Sequence, residues 1–136
     1  MTLCDTGPMV ALVDRDDPYH APCVAALDRL PPDDFVTTWP CFNEAMYLLR
    51  KRRGYVAQQD LWDYVLEGVI RLHQPAVDEW ERVRMLMHTY RDAPMDFADA
   101  SLVAAGEHLR LNRVFTTDRH FYAYRLQGRD AFEVIS

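Results

Sequence analysis

The 136-residue chain has no apolar run approaching the ~18 residues that span a bilayer, which excludes a transmembrane helix. Its opening residues, MTLCDTGPMVALVD, lack a basic leader and carry an acid at position 5. That excludes a secretory signal, and a cytoplasmic location is expected. Cysteine is scarce: Cys4, Cys23 and Cys41 form an odd set without any C-x-x-C pair. A disulfide framework and a zinc knuckle are therefore excluded, and the apolar neighbours of all three read as surroundings of buried thiols. No repeat or low-complexity segment interrupts the chain. The formal net charge of −6 excludes a protein that holds nucleic acid indiscriminately over its whole surface.

Lysine is rarer still. Of 15 basic residues only Lys51 is a lysine, and the densest basic run is Arg50-Lys51-Arg52-Arg53. Arginine presents a planar fork suited to phosphate, so the run reads either as a local phosphate patch or as a solvated helix end complementing the macrodipole. The length suits one domain, residues 1–136, burying about two-thirds of the surface of its unfolded chain.

Short apolar runs alternate with longer periodic ones. Strands are predicted over Thr2–Asp5, Phe35–Thr38, Val69–Leu72, Arg113–Thr117 and Phe132–Ile135. Helices are predicted from Thr6, from Asp17-Pro18, from Pro40 to the break at Gly54, and over Tyr55–Glu67, Asp78–Tyr90 and Asp96–Leu109. In the second helix Val24, Leu27 and Leu30 are the expected inward side; in the fourth, Leu61, Trp62, Val65 and Leu66. Strands separated by helices imply right-handed crossovers and a mostly parallel sheet with helices on both faces, an α/β fold.

In such a sheet, ligands sit beyond the carboxyl ends of the strands, near the point where strand order reverses. Two predicted strands end at that edge in an aspartate, Asp5 and Asp118. Each reads alone as an Asx-turn or helix cap. Glu44 lies early in the helix after the second strand, on a face shared with Cys41, Tyr47 and Leu48; it is either a salt-bridge partner or a functional carboxylate. Asp96 and Asp99 stand as N-cap and N3 of the last long helix, and Asp99 continues the apolar stripe of Val103 and Gly106. Four converging carboxylates repel one another unless a cation is present, and an all-oxygen ligand set favours Mg²⁺ or Mn²⁺ over zinc. The five histidines fall at no metal-ligand spacing and read as surface or packing residues. Carboxylates with Mg²⁺ point to hydrolysis at phosphorus.

Taken in order, LCDTGPMVALVD, FNEAMYLL, MDFADASLVAAGEHL and VFTTDRHF resemble the PIN-domain family, in particular its VapC-like branch of bacterial toxin ribonucleases. The resemblance runs over essentially the whole chain. It implies a three-layer α/β/α sandwich on a sheet of about five strands, and an endoribonuclease dependent on one or two Mg²⁺ or Mn²⁺ ions. Carried over residue by residue, the family's acids match Asp5, Glu44, Asp99 and Asp118, with Asp96 a helix cap or an additional ligand. Thr6 and Thr117 stand beside two of these acids as candidates for holding water or phosphate. The resemblance makes Arg50, Lys51, Arg52 and Arg53 candidates for guiding RNA. A small antitoxin partner and a homodimer are also implied.

Two rival phosphate chemistries fail on single positions. A receiver domain needs a second acid after the first strand, where Thr6 follows Asp5, and a lysine after the last central strand. A haloacid-dehalogenase-like phosphatase needs an aspartate where Gly7 stands. The remaining alternative is a PIN-like module that binds RNA or protein without turnover.

Overall fold

The strands and helices follow the apolar pattern closely. In a computed structural model describing residues 1–136, β1 (Thr2–Cys4) leads into α1 (Thr6–Val13) and α2 (His20–Leu27). β2 (Phe35–Thr38) leads into α3 (Trp39–Arg53) and α4 (Tyr55–Leu66), and β3 (Ile70–His73) into α5 (Val77–Thr89) and α6 (Phe97–Leu109). After β4 (Arg113–Phe115) come a 3-10 turn (Arg119–Tyr122), a hairpin of β5 (Arg125–Leu126) and β6 (Asp130–Ala131), and β7 (Glu133–Ile135).

Five strands form one sheet in the order β3-β2-β1-β4-β7, and every pairing in it is parallel. The chain steps outward from β1 to β3 and then returns past β1 to β4 and β7. Right-handed crossovers therefore place α1–α4 on one face and α5–α6 on the other, a PIN-like α/β/α arrangement. The reversal of strand order falls between β1 and β4.

Two helices carry the inner layers. α1 buries Pro8, Met9, Val10 and Ala11, and α6 buries every residue from Ala98 to Gly106. A helix apolar nearly all round can only sit inside. Small residues on α6 permit the close approach: a Cβ at Gly106 would stand 2.9 Å from Leu3 Cδ1 and 3.0 Å from the Leu111 carbonyl. All three cysteines are buried free thiols.

The inward side of α2 differs from expectation. Cys23 and Ala26 face the core, while Val24 and Leu27 are exposed. The helix starts at His20 because Asp17 Oδ1 accepts from Tyr19 N at 2.8 Å and holds a turn ahead of it. In α4, Leu66 is 78% exposed, since the helix ends there and the chain turns through Gly68 at φ +80°. The 3-10 turn and the β5–β6 hairpin were not foreseen. Strands of two residues are too short to carry a period.

Candidate active site

The carboxyl ends of β1 and β4 lie side by side, and the chain places an acid after each. Asp5 N donates to the Phe115 carbonyl at 2.9 Å, which carries the β1–β4 ladder up to the aspartate itself. Asp5 caps α1, with Oδ1 accepting from Thr6 N at 2.8 Å. Its Oδ2 accepts from Thr116 Oγ1 at 2.7 Å. The same Thr116 oxygen accepts from Asp118 N at 2.9 Å, so one hydroxyl ties the two strand-end acids together. Asp118 Oδ1 in turn accepts from His120 N at 2.9 Å and lies 2.7 Å from His120 Nδ1.

The start of α6 brings the second pair. Asp96 and Asp99 form a reciprocal capping box: Asp99 N donates to Asp96 Oδ1 at 2.8 Å, and Asp96 N to Asp99 Oδ2 at 3.2 Å. Asp96 is exposed, whereas Asp99 is buried at 8% exposure. Tyr124, fully buried, donates its hydroxyl to Asp99 Oδ2 at 3.4 Å. Asp99 thus serves as cap and as a carboxylate aimed from the core toward the sheet edge.

Glu44 is exposed on the rim, contrary to the apolar face its helical neighbours suggest, and Tyr47 beside it is exposed as well. Thr6 Oγ1 lies 3.3 Å from Glu44 Oε2 and 3.2 Å from the Cys41 carbonyl, so its one proton serves one or the other. Behind them Cys41 Sγ stands 3.8 Å from Asp5 Oδ1 and 3.6 Å from the Ala98 carbonyl, which joins α3, β1 and α6 beneath the acids. Thr117 lies over Gly7, where any Cβ would collide with Thr117 Oγ1. The glycine is what lets the turn after β4 close on the start of α1.

The electrostatics follow from this crowding. Burial pushes Asp5 from 3.8 up to about 6, opposed by the Thr116 and Thr6 hydrogen bonds and reinforced by Asp118 and Glu44. Burial, then Asp96 and Asp5, push Asp99 up to about 8. Glu44 is raised by desolvation and by Asp96. The neighbouring charges that raise these three are themselves acidic. The carboxylates share one end of the sheet, yet no three acidic, histidine or cysteine side chains close into a finished metal cage.

The basic run lies apart from this group. Arg52 pairs with Asp17 at 2.7 Å, and Arg53 with Asp16 at 2.6 Å and Asp14 at 3.6 Å, all in the turn between α1 and α2. Arg50 and Lys51 are exposed. Sequence reasoning missed Thr116 and Tyr124. A hydroxyl two residues before an aspartate at a strand end is a hydrogen-bonding turn signal that pointed to the first; nothing local pointed to the second.

No protein-family model matches the chain, and no curated protein sequence does. Solved structures do. The Mycobacterium tuberculosis toxin VapC20, described as cleaving the sarcin-ricin loop, superposes with a TM-score of 0.85 at 21% identity, covering 100% of both chains. A toxin-antitoxin complex from Klebsiella pneumoniae matches with a TM-score of 0.66 at 20% identity over 87% of each chain. FitAcB from Neisseria gonorrhoeae matches with a TM-score of 0.58 at 20% identity, over 87% of this chain and 88% of its own. These likenesses show the fold, a PIN-like arrangement of the kind VapC toxins have.

Proposed function

We propose that the chain is a Mg²⁺- or Mn²⁺-dependent endoribonuclease that hydrolyses RNA phosphodiester bonds, acting as the toxin of a toxin-antitoxin pair. One observation carries the reading: Asp5, Asp118, Asp99, Asp96 and Glu44 lie toward the end of the sheet where the strand order reverses, with Asp5 and Asp99 both buried and each raised in pKa by burial and by neighbouring acids. A fold tolerates such repulsion where a cation relieves it. The donors are all carboxylate oxygens, the set that suits Mg²⁺ or Mn²⁺. Asp5, Asp99 and Asp118 would hold one or two ions, with Glu44 and Asp96 at the exposed rim.

A bound divalent ion supplies charge neutralisation at the phosphodiester and a lowered pKa for attacking water. The chain's own residues do the positioning. Thr116 fixes the Asp5 carboxylate and the Asp118 backbone with one hydroxyl, and Tyr124 fixes Asp99 from below. Glu44, exposed and raised in pKa, accepts a proton from water at the mouth of the site. Arg50 and Lys51 remain available for a phosphate further along the strand, whereas Arg52 and Arg53 brace the turn between α1 and α2.

The reading extends to an antitoxin partner, which the resemblance implies and the similar toxin-antitoxin complex supports, to a homodimer on the resemblance alone, and to a cytoplasmic location. No helix is long and apolar enough to cross a membrane. The second reading, an RNA-binding or protein-interaction module without turnover, rests on the fact that no three of these side chains form a metal site as they stand. Incubating single-stranded RNA and a sarcin-ricin-loop oligonucleotide with wild type and with Asp99→Asn, in Mn²⁺, separates the two. Cleavage by wild type alone is expected. Equal cleavage by both would trace the activity to a contaminant, and binding without cleavage would leave the module.

A further inference from the structure

Two cavities lie along the carboxyl rim of the sheet, one on each side of the acids. The first, about 360 Å³, is bounded by Thr38 at the end of β2 and Trp39 beyond it, by His73 at the end of β3, and by Trp80 and Ser101 on α5 and α6. The second, about 600 Å³, is bounded by Thr116 to Arg119 after β4, by Ser136 after β7, and by Tyr19 and Tyr122. Because the sheet order is β3-β2-β1-β4-β7, Asp5 at the end of β1 stands between them. From β2 to β7 is three strand spacings, about 14 Å. That is the length of about four stacked nucleotides, or fewer if extended.

The cavities share walls with the acids. Thr38 Oγ1 lies 2.7 Å from Ser101 Oγ, which donates to the Ala98 carbonyl at 2.7 Å, and Cys41 Sγ links that carbonyl to Asp5. On the other side Thr116 and Asp118 belong to both the acidic group and the second cavity. Each cavity also carries aromatic surface that the core leaves unused. Trp80 is 48% exposed and braced by Phe97 at 6.3 Å between ring centroids; Trp39 is braced edge-on by Phe42 at 6.0 Å. Tyr122 is 61% exposed, Tyr19 is exposed beside it, and Arg119 stands there without a salt-bridge partner.

Resting on the ribonuclease reading, we propose that the rim is a track for single-stranded RNA. One base stacks on the Trp39–Trp80 side and another on the Tyr19–Tyr122 side, with the scissile phosphate between them over the acids. Stacking on braced, half-exposed rings is how a protein holds single strands with little sequence preference. Arg119 supplies the cation that a phosphate needs on the second platform. A peptide partner would not require aromatic surface on both flanks of a carboxylate group with this spacing.

The test compares cleavage kinetics of Trp80→Ala, Trp80→Phe, Tyr122→Ala and Tyr122→Phe in Mn²⁺, on a single-stranded RNA and on copies carrying one abasic nucleotide at each position around the cut. The alanine variants are expected to raise KM about fivefold to a hundredfold with kcat little changed, and the phenylalanine variants to retain most of the affinity. In wild type, one abasic position on each side of the cut should cost a similar factor. At one of these Trp80→Ala adds no further loss, and at the other Tyr122→Ala adds none. Wild-type KM in both alanine variants, with Asp5→Asn inactive, would sink the track and leave the ribonuclease reading intact. No cleavage by wild type would overturn both. A changed oligomeric state in Trp80→Ala without abasic dependence would assign that platform to a contact between copies and overturn the proposal.

Discussion

Replacing Asp5 by asparagine is expected to stabilise the metal-free protein at alkaline pH and destabilise it at acid pH. Asp5 is raised from 3.8 to about 6, chiefly by burial. A folded value above the unfolded one means the fold holds the proton more tightly than the unfolded chain does. The stabilisation from Asp5 is therefore complete below pH 3.8 and is lost as pH rises through about 6. From below pH 3.8 to pH 8 the wild type loses ~3 kcal/mol on this account, ~1.4 kcal/mol for each unit by which the pKa is raised. Asparagine carries no charge at either pH. It keeps the bond from Thr6 N, but its amide must donate to Thr116 Oγ1, whose own proton then loses its acceptor, at a cost of ~1 kcal/mol.

The net effect is about +2 kcal/mol at pH 8 and about −1 kcal/mol at pH 4. At ~4 °C per kcal/mol for a chain of this size, Tm should rise by about 8 °C at pH 8 and fall by about 4 °C at pH 4. Calorimetry in EDTA at pH 4, 6 and 8 reads the change of sign directly. Added Mn²⁺ should raise the wild-type Tm at pH 8 more than that of the variant, and RNA cleavage by the variant should fall by at least ~100-fold. An asparagine variant less stable than wild type by the same amount at every pH would refute the charge argument. Equal Mn²⁺ stabilisation of both proteins would remove Asp5 from the ion site.

Thr116→Val keeps the shape but removes the hydroxyl that donates to Asp5 and accepts from Asp118 N; kcat should fall about tenfold or more, with ~1–3 kcal/mol lost in chemical denaturation. Gly7→Ala sets a methyl against Thr117 Oγ1 and should cost ~1–3 kcal/mol. The double variant Gly7→Ala/Thr117→Ala should recover most of this, and strictly additive losses would show that the contact is not the cause. Asp99 is raised to about 8 by burial and by Asp96 and Asp5, and only its ionised form binds a cation. At limiting Mn²⁺, cleavage should therefore climb as pH rises through about 8, and saturating Mn²⁺ should move the rise to lower pH. A profile indifferent to metal concentration would dissociate Asp99 from the ion.

The buried strands were legible because a parallel sheet covered on both faces needs short runs with apolar centres, and Phe35-Val36 and Val114-Phe115 are the centres of two of them. The ends of β1 and β4 were legible for a simpler reason: an acid one to three residues beyond a buried strand, as Asp5 and Asp118 are, has nowhere to go but the carboxyl edge. Long-range pairing was not legible. Asp14, Asp16 and Asp17 read as a polar break, and only the packing of α1 on α3 brings them to Arg52 and Arg53. Glu44 misled for the same reason. Its neighbours three and four positions away set a helical face, but what that face meets depends on where α1 lies, and Thr6 meets it at the rim.

The pair in MDFADA shows how a local rule and a functional one can occupy the same atoms. A capping box explains Asp96 and Asp99 completely as a helix start, and both of its bonds are present. It does not explain why Asp99 is buried. A capping box works equally well exposed to water, where neither carboxylate is desolvated. Here α6 is enclosed almost from its first turn, so Asp99 is carried inside with it, close enough for Asp5 and Asp118 to raise its pKa further. The enclosure of α6 stabilises the fold through Leu102, Val103 and their neighbours, and that packing is what supports a carboxylate the site would otherwise expel. The hydroxyls of Thr116 and Tyr124 are the complementary device: placed at Asp5 and Asp99, they satisfy these carboxylates without adding positive charge, which leaves the negative potential of the rim undiminished for a cation.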